Sequence, residues 1–444
     1  MADRRRPWWR RAGLRTISGG VVDAGFASLA TFVIGLAATR TLTPDDLGVY
    51  AIFFTAFLTG TVIPAQLVYT PAEVVCVSYP VGQRTRLLRR SLVIGHSAAL
   101  ASAGTMLFAT AAAWPIAAPS AIVALTLTSM AAAYLSPIQD HLRRVLIKDD
   151  TAWLAAAISV TQLVAIVLAV GMLTLVLSVP APWVPFGALA IANTVSLTVG
   201  LVIVRFPHLE RLPTPLTLRS LSSAGRWLVA SQLIPTGAAF VAATIVSYLA
   251  SPADLGYAEA ARIAAQPLLV LGFGLGAAFE PRFMEAAGRR NLAATRRVRL
   301  LFHGLMTLSG LGYLLMAGWS WFLNPMVYLV PDAYVVQGLA ALTIVANLAN
   351  GATYAGQAEM TGGRREKPLA HIHSVCSAAM LIAAATAGFT RSFARPLGLL
   401  LQGLARLVWY RGALRRMYAT PPTMPVRHDA DQVVSVGRQD LPGS

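Results

Sequence analysis

The sequence predicts an all-α polytopic membrane protein: about twelve transmembrane helices in two six-helix lobes, related by a parallel repeat around a central cavity. Three observations predict it. The chain is 56% hydrophobic and only 12% charged over 444 residues, whereas a soluble domain carries about a quarter charged residues. Its apolar residues gather into runs of membrane-spanning length, and its basic residues fall between those runs on alternate sides. A soluble enzyme of this size is excluded.

The charge is lopsided, with 36 Lys+Arg against 19 Asp+Glu, a net +17. A nucleic-acid binder would leave this much apolar surface uncovered, so no nucleic-acid partner is expected. Two cysteines, Cys76 and Cys376, cannot make a disulfide framework or a cysteine-rich metal site. Both lie in or beside apolar runs and read as small buried hydrophobes. No metal and no cofactor is expected.

Twelve runs of about 20 apolar residues lie at 17–38, 47–70, 91–113, 117–137, 152–178, 184–204, 227–250, 255–279, 299–318, 335–357, 369–389 and 394–414. A helix satisfies its own backbone hydrogen bonds in hydrocarbon, and long alternating strands are absent, so a barrel is excluded. The first run follows a basic leader, Arg4, Arg5, Arg6, Arg10 and Arg11, that resembles a signal-peptide start. Asp23 interrupts the apolar stretch and a second span follows at once, so the run is read as a retained helix. Trp8 and Trp9 suit the headgroup layer.

The leader to Arg15, the even-numbered loops and the tail hold 31 of the 36 basic residues; Arg143, Arg144 and Lys148 are counted in the loop after the fourth helix, and the six from Arg282 to Arg299 in the loop after the eighth. The odd-numbered loops hold Arg40, Arg391 and Arg395, and the remaining two, Arg262 and Arg406, lie well within spans. That asymmetry predicts a multi-pass cell (inner) membrane protein with both termini cytoplasmic. The boundaries follow: a leader over 1–16, an N-terminal lobe over 17–205, a linker over 206–226, a C-terminal lobe over 227–418 and a disordered tail over 419–444. Outside loops are short, and their tryptophans (Trp114, Trp183, Trp319, Trp321) read mainly as interfacial belt residues.

The chain repeats at half length. Pro44, Asp46 and Gly48, in Pro44-Asp45-Asp46-Leu47-Gly48, are matched 208 residues on by Pro252, Asp254 and Gly256. Arg89-Arg90 with His96 matches Arg296-Arg297 with His303 at 207. Each turn motif is read as structural: Pro starts the turn, Asp caps the next helix, Gly relaxes the backbone. Two halves in one orientation imply a parallel repeat, which in transporters encloses a central site that is exposed alternately.

The stretch "TLTPDDLGVYAIFFTAF" after the first helix, the basic second loops and the half-chain repeat resemble the multidrug/oligosaccharidyl-lipid/polysaccharide (MOP) exporter superfamily, and within it the polysaccharide-biosynthesis (Wzx-type) flippases. The resemblance covers residues from about 15 to about 415. It implies translocation of a lipid-linked oligosaccharide or polysaccharide precursor from the cytoplasmic to the outer leaflet, with H⁺ or Na⁺ as coupling ion. The partners it implies are a bilayer with anionic headgroups, the lipid-linked glycan and glycan polymerisation or export machinery.

Ionisable groups at membrane depth are costly and are functional candidates. Glu259 and Arg262, at i and i+3, share one face of the eighth helix. A pyrophosphate-linked glycan needs a cation in a water-lined cavity, and a guanidinium holds phosphate bidentately. Arg262 is the first candidate for the headgroup and Arg406 the second. The competing readings are a structural Arg262–Glu259 pair and an Arg406 that snorkels to the interface. Asp23 is the candidate for the coupling ion, against an interfacial helix cap after Gly19-Gly20; drug-exporting relatives also carry a first-helix acid. His96 and His303 read as packing residues. His371 and His373, at i and i+2, point to different faces and make no metal site. Pro267 with Gly272, Gly274 and Gly276 makes the eighth helix pliable.

Other classes lack their residues. The chain's two lysines, Lys148 and Lys367, follow Ile147 and Glu366, so no P-loop exists, and no His-Glu pair marks a zinc protease. A glycosyltransferase or polymerase would want clustered carboxylates or arginines in a large external loop. The chain reads as a non-enzyme flippase working by alternating access. A cation-coupled multidrug antiporter of the same superfamily is the alternative, with a membrane glycosyltransferase weaker still.

Overall fold

The computed structural model describes residues 14–76, 81–148, 151–204 and 217–419. The leader residues 1–13, with Trp8 and Trp9, part of the inter-lobe linker (205–216) and the tail 420–444 lie outside the described residues. Twelve long helical segments account for most of the rest: α1 Leu14–Thr41, α2 Pro44–Cys76, α3 Val81–Gly104 continued by Met106–Ala113, α4 Pro119–Lys148, α5 Ala152–Val176, α6 Val184–Val204, α7 Leu218–Leu249, α8 Pro252–Ala264 continued by Gln266–Gly288, α9 Leu292–Ala317, α10 Leu339–Gly362, α11 Glu366–Ala385 and α12 Ala394–Ala419. Among the described residues nine helices are individually long and apolar enough to cross a membrane, and the two-piece α8 adds a tenth. α10 and α12 carry more polar residues (Asn347, Asn350, Glu359; Arg395, Gln402, Arg406) and pack against each other.

Short links make consecutive helices antiparallel. One face, here the terminal face, collects both described ends and the helix ends that flank the even-numbered links; the distal face collects those that flank the odd-numbered ones. Several helices outrun their apolar stretch at the terminal face. α4 continues to Lys148 and α12 to Ala419, and α9 begins at Leu292. The linker expected over 206–226 is helical from Leu218, with Thr217 and Ser220 forming a reciprocal capping box. A helix running into the headgroup layer still satisfies its own backbone, and its arginines reach water along their stems.

The two lobes share one packing scheme. In the first, α1 packs on α5, α2 on α3 and α4, α3 on α4, and α6 on α4 and α5; in the second, the same pairs recur six helices on. Large apolar side chains point outward to where lipid would lie, among them Leu175, Phe389 and Val408. Exposed Trp114, Trp319 and Trp321 stand at the distal face.

The lobes meet unequally along their length. Toward the distal face one apolar core runs through both, with Tyr50, Phe53 and Phe186 of the first lobe continuous with Leu255, Met326 and Met380 of the second. Toward the terminal face the cores are separate: one around Tyr69, Leu88 and Leu142, and two others around Met360 and Tyr410 and around Phe283 and Phe302. Leu221 of α7 reaches into the first of these. The apolar cores are fused at the distal end and separate toward the terminal end, where α7 still packs on α2, Gly225 lying against Gln66 O and Leu67 O.

The repeated turn motifs hold that fused end, and here the expected roles change. Thr43 and Ser251 are the helix caps, each hydroxyl accepting from the backbone N–H of Asp46 or Asp254. Asp46 and Asp254 sit in the first turn, and each accepts a 2.8 Å hydrogen bond from its cap hydroxyl. Pro44 and Pro252 occupy the first helical position, where a missing N–H costs nothing. Gly48 and Gly256 lie within the helices. They are required because each backbone presses on the other motif, a Cβ on Gly48 falling 1.9 Å from Pro252 O and one on Gly256 falling 2.0 Å from Pro44 O.

The connection between α9 and α10 closes the distal face from outside. Arg40, at the end of α1, donates through Nε to Leu329 O at 2.9 Å and through Nη2 to Tyr328 O at 2.5 Å. These are carbonyls at the end of the short helix Pro325–Leu329, where a cation suits the helix dipole. Tyr334 donates to Leu42 O at 2.6 Å. Burial, aided by Asp46 and Tyr257, pushes the Tyr334 hydroxyl up to about 12, so it stays a donor.

Candidate functional site

α8 is broken where its proline requires it. The two pieces meet at Ala265 with a 50° bend, two residues before Pro267, which cannot donate a backbone N–H. Side chains donate to carbonyls at the break: Tyr313 to Ala264 O at 2.5 Å and Asn347 to Ala265 O at 3.4 Å. The glycines at 272, 274 and 276 lie in the continuous second piece, so the break belongs to Pro267 rather than to them.

Just above the break lies a buried cluster of charge. Glu259 is fully buried, and its Oε1 accepts from Arg262 Nε at 2.9 Å and Nη2 at 2.6 Å. Its Oε2 accepts from Arg395 Nη1 at 2.5 Å. Arg395, assigned from sequence to an outside loop, is 8% exposed and starts α12. A cation at a helix N-terminus is unfavourable against the dipole, and Glu259 supplies the compensation. The Arg262 guanidinium lies 4.6 Å from the Phe54 ring of α2. The cluster therefore carries two guanidinium groups against one carboxylate, and it touches the partner lobe. It lies seven residues into α8, about 10 Å from the distal end.

Arg406 stands near the middle of α12. Its Nε and Nη2 are buried with no hydrogen-bond partner. Tyr354, Cys376, Tyr410 and His373 lie within electrostatic range, and among the described residues no carboxylate is bonded to it. The residue as a whole is half-buried. Arg262 and Arg406 thus occupy different levels of the second lobe and do not converge on one point.

Asp23 lies well inside α1, nine residues from its start, and is 6% exposed. That placement rules out the interfacial cap. Its Oδ1 accepts from Arg143 Nη1 at 3.1 Å and from the Ser159 hydroxyl at 2.6 Å. Arg143 Nη2 also reaches Asp140 Oδ1 at 2.5 Å. Arg143 had been counted as a loop residue; it is a buried partner within α4. A further chain of side-chain hydrogen bonds runs Gln139–Gln162–Asn193–Ser136 through α4, α5 and α6. Arg299 was misplaced in the same way: in α9, it forms a two-pronged pair with fully buried Glu359 of α10, at 2.8 and 2.5 Å.

The remaining candidates fall as follows. His96 bonds Tyr134 at 2.8 Å, whereas repeat-matched His303 packs edge-on to Phe302. His371 is exposed and His373 buried, the latter held by Ser231 O and Tyr410 Oη. Cys76 and Cys376 are both buried free thiols.

No protein-family model matches the chain, and no curated protein does either. Solved structures do. An inward-facing multidrug-resistance MATE family transporter of the MOP superfamily aligns over 89% of this chain and 96% of its own at 14% identity, TM-score 0.70. An outward-facing MATE transporter of the same superfamily aligns over 91% and 96% at 14% identity, TM-score 0.61. A MOP-superfamily transporter from Pyrococcus furiosus, described as having a binding pocket of reverse polarity, aligns over 92% and 96% at 14% identity, TM-score 0.57. The chain has the fold of the MATE transporters of the MOP superfamily.

Proposed function

We propose that the protein is a membrane transporter working by alternating access, and that it moves an anionic cargo, a lipid-linked oligosaccharide or polysaccharide precursor. One observation carries the choice of cargo: the buried charge of the second lobe is cationic. The α8 cluster has two arginines to one glutamate, and half-buried Arg406 has two buried guanidinium nitrogens without a hydrogen-bond partner. A phosphate group supplies the charge and acceptors these groups lack. A cationic drug would meet repulsion at both places, so the antiporter reading is second. The reverse-polarity pocket of the Pyrococcus furiosus transporter is consistent with such variation on one fold.

The shared distal core and the separate terminal cores support a state open toward the terminal face. With the basic loops read as cytoplasmic, that state is inward-facing and loads cargo from the cytoplasmic leaflet of the cell membrane. Asp23 serves as the coupling-ion acid, with Arg143 as the built-in counter-cation that a bound H⁺ or Na⁺ displaces.

The test is reconstitution. Liposomes holding the purified protein and a fluorescent lipid-linked glycan should expose more of that lipid to an external quencher than protein-free liposomes do. Transport of cationic drugs with no glycan movement would put the antiporter in its place.

A further inference from the structure

Within the first lobe, near the terminal face, α2 departs from α-helical geometry. A π-helical turn, Ala65–Tyr69, lies between Pro64 and Pro71, and such turns often mark functional positions. The extra residue swings Tyr69 so that its ring stacks on His141 of α4, centroids 4.1 Å apart and planes within 8°. One turn further along α2, Glu73 directs Oε1 at His141 Nδ1 from 3.6 Å.

The contacts around this imidazole favour one tautomer, since Nε2 lies 3.4 Å from Leu88 O, which can only accept. The Ser91 hydroxyl of α3 donates to Leu88 O at 2.7 Å, which uses its only proton. Its oxygen must then accept from His141 Nε2, 2.8 Å away. A neutral His141 therefore carries its proton on Nε2 and leaves Nδ1 bare. Nδ1 and Glu73 Oε1 face each other as two acceptors, and both are buried without a hydrogen-bond partner. A single proton between them satisfies both.

A route for that proton exists. A cavity of about 150 Å³ is lined by Tyr69 and Gln66 of α2, Asp140, His141 and Arg144 of α4, and Gln232 of α7. Gln232 belongs to the other lobe, so the cavity straddles the seam between them. The surrounding charges are Arg144, 3.6 Å from Glu73 Oε1, then Lys148 of α4, Arg84 of α3, and Glu280 of α8 beyond Arg144. Glu280 matches Glu73 in the repeat at an offset of 207 but is exposed. The site is built in one lobe only.

We propose that Glu73 and His141 together form a proton-binding site, filled by one proton from water through the seam cavity. The site is separate from Asp23, and it rests on the transport reading only for its use. Proton binding can be read directly by NMR of the histidine rings in the purified full-length protein in nanodiscs, with His141→Gln identifying the resonance. The wild-type His141 signal should titrate between about pH 5 and 9. In Glu73→Gln the amide donates permanently to Nδ1, and the signal should stop titrating in that range while the other histidine signals keep their positions. A His141 ring that does not titrate in the wild type, or that titrates unchanged in Glu73→Gln, overturns the proposal. Absence of glycan movement in liposomes would sink the functional reading and leave this one intact.

Discussion

Gly48 and Gly256 lie back to back across the seam between α2 and α8, each backbone pressed on the other motif's prolyl carbonyl. The relationship is reciprocal because the two motifs are copies placed around a shared axis. It makes the distal closure a backbone-to-backbone contact that leaves no room for even one methyl group. On the proposed alternating-access mechanism, these two glycines must part.

Gly48→Ala or Gly256→Ala should therefore weaken the closed distal end, at about 1–3 kcal/mol for overpacking. Maleimide labelling of a cysteine placed at Leu42 reads it, since that position beside the turn motif is buried in the closed end. Labelling should rise several-fold in either variant. Unchanged labelling would mean that the seam gives elsewhere.

Glu259→Gln strands two buried guanidinium groups. Breaking a buried charge pair by removing one partner costs about 3–5 kcal/mol, so the thermal midpoint of the purified protein should fall markedly. Adding Arg395→Gln removes one stranded cation and should recover part of the loss. If the double variant is no better than the single one, Arg395 owes its position to something other than Glu259.

Arg406→Ala breaks no hydrogen bond at Nε or Nη2. Its thermal midpoint should stay level or rise, because an uncompensated buried cation is costly. Transport of a phosphate-bearing cargo should nevertheless drop by at least about tenfold, the loss of one charge-assisted contact worth roughly 1.5–3 kcal/mol. A stable variant with full transport would remove Arg406 from the cargo path.

Asp23→Asn deprives Arg143 of one partner and leaves it Asp140 and Ser159, so the fold should survive with a loss of about 1–3 kcal/mol. Dependence of transport on an imposed ion gradient should disappear. Gradient dependence that persists would place coupling elsewhere, and the Glu73–His141 pair is the next position to examine.

The architecture was largely legible in the sequence because lipid imposes a simple rule on each segment separately: enough consecutive apolar residues to span, and basic residues near one side. That rule located twelve helices but misread their ends. Arg143 and Arg299 looked like loop markers because one stands past an apolar run and the other at the edge of one, yet helix geometry carries them back against Asp23 and Glu359. Arg395 was misread in the same way on the opposite face. The pairing of Glu259 with Arg262 could be read from their i, i+3 spacing; its third member could not, since residue 395 lies 136 positions away.

By itself, then, the sequence determined the class, the approximate number of helices, the internal repeat and the short roster of intramembrane charges. Those are properties of composition and local spacing. Tertiary structure decided which charges face one another, why the repeated motifs carry glycine, and which end of the molecule is sealed. Each of these depends on helices remote in the chain coming within a few ångströms. The burial that follows turns an arginine near a loop into the partner of an acid.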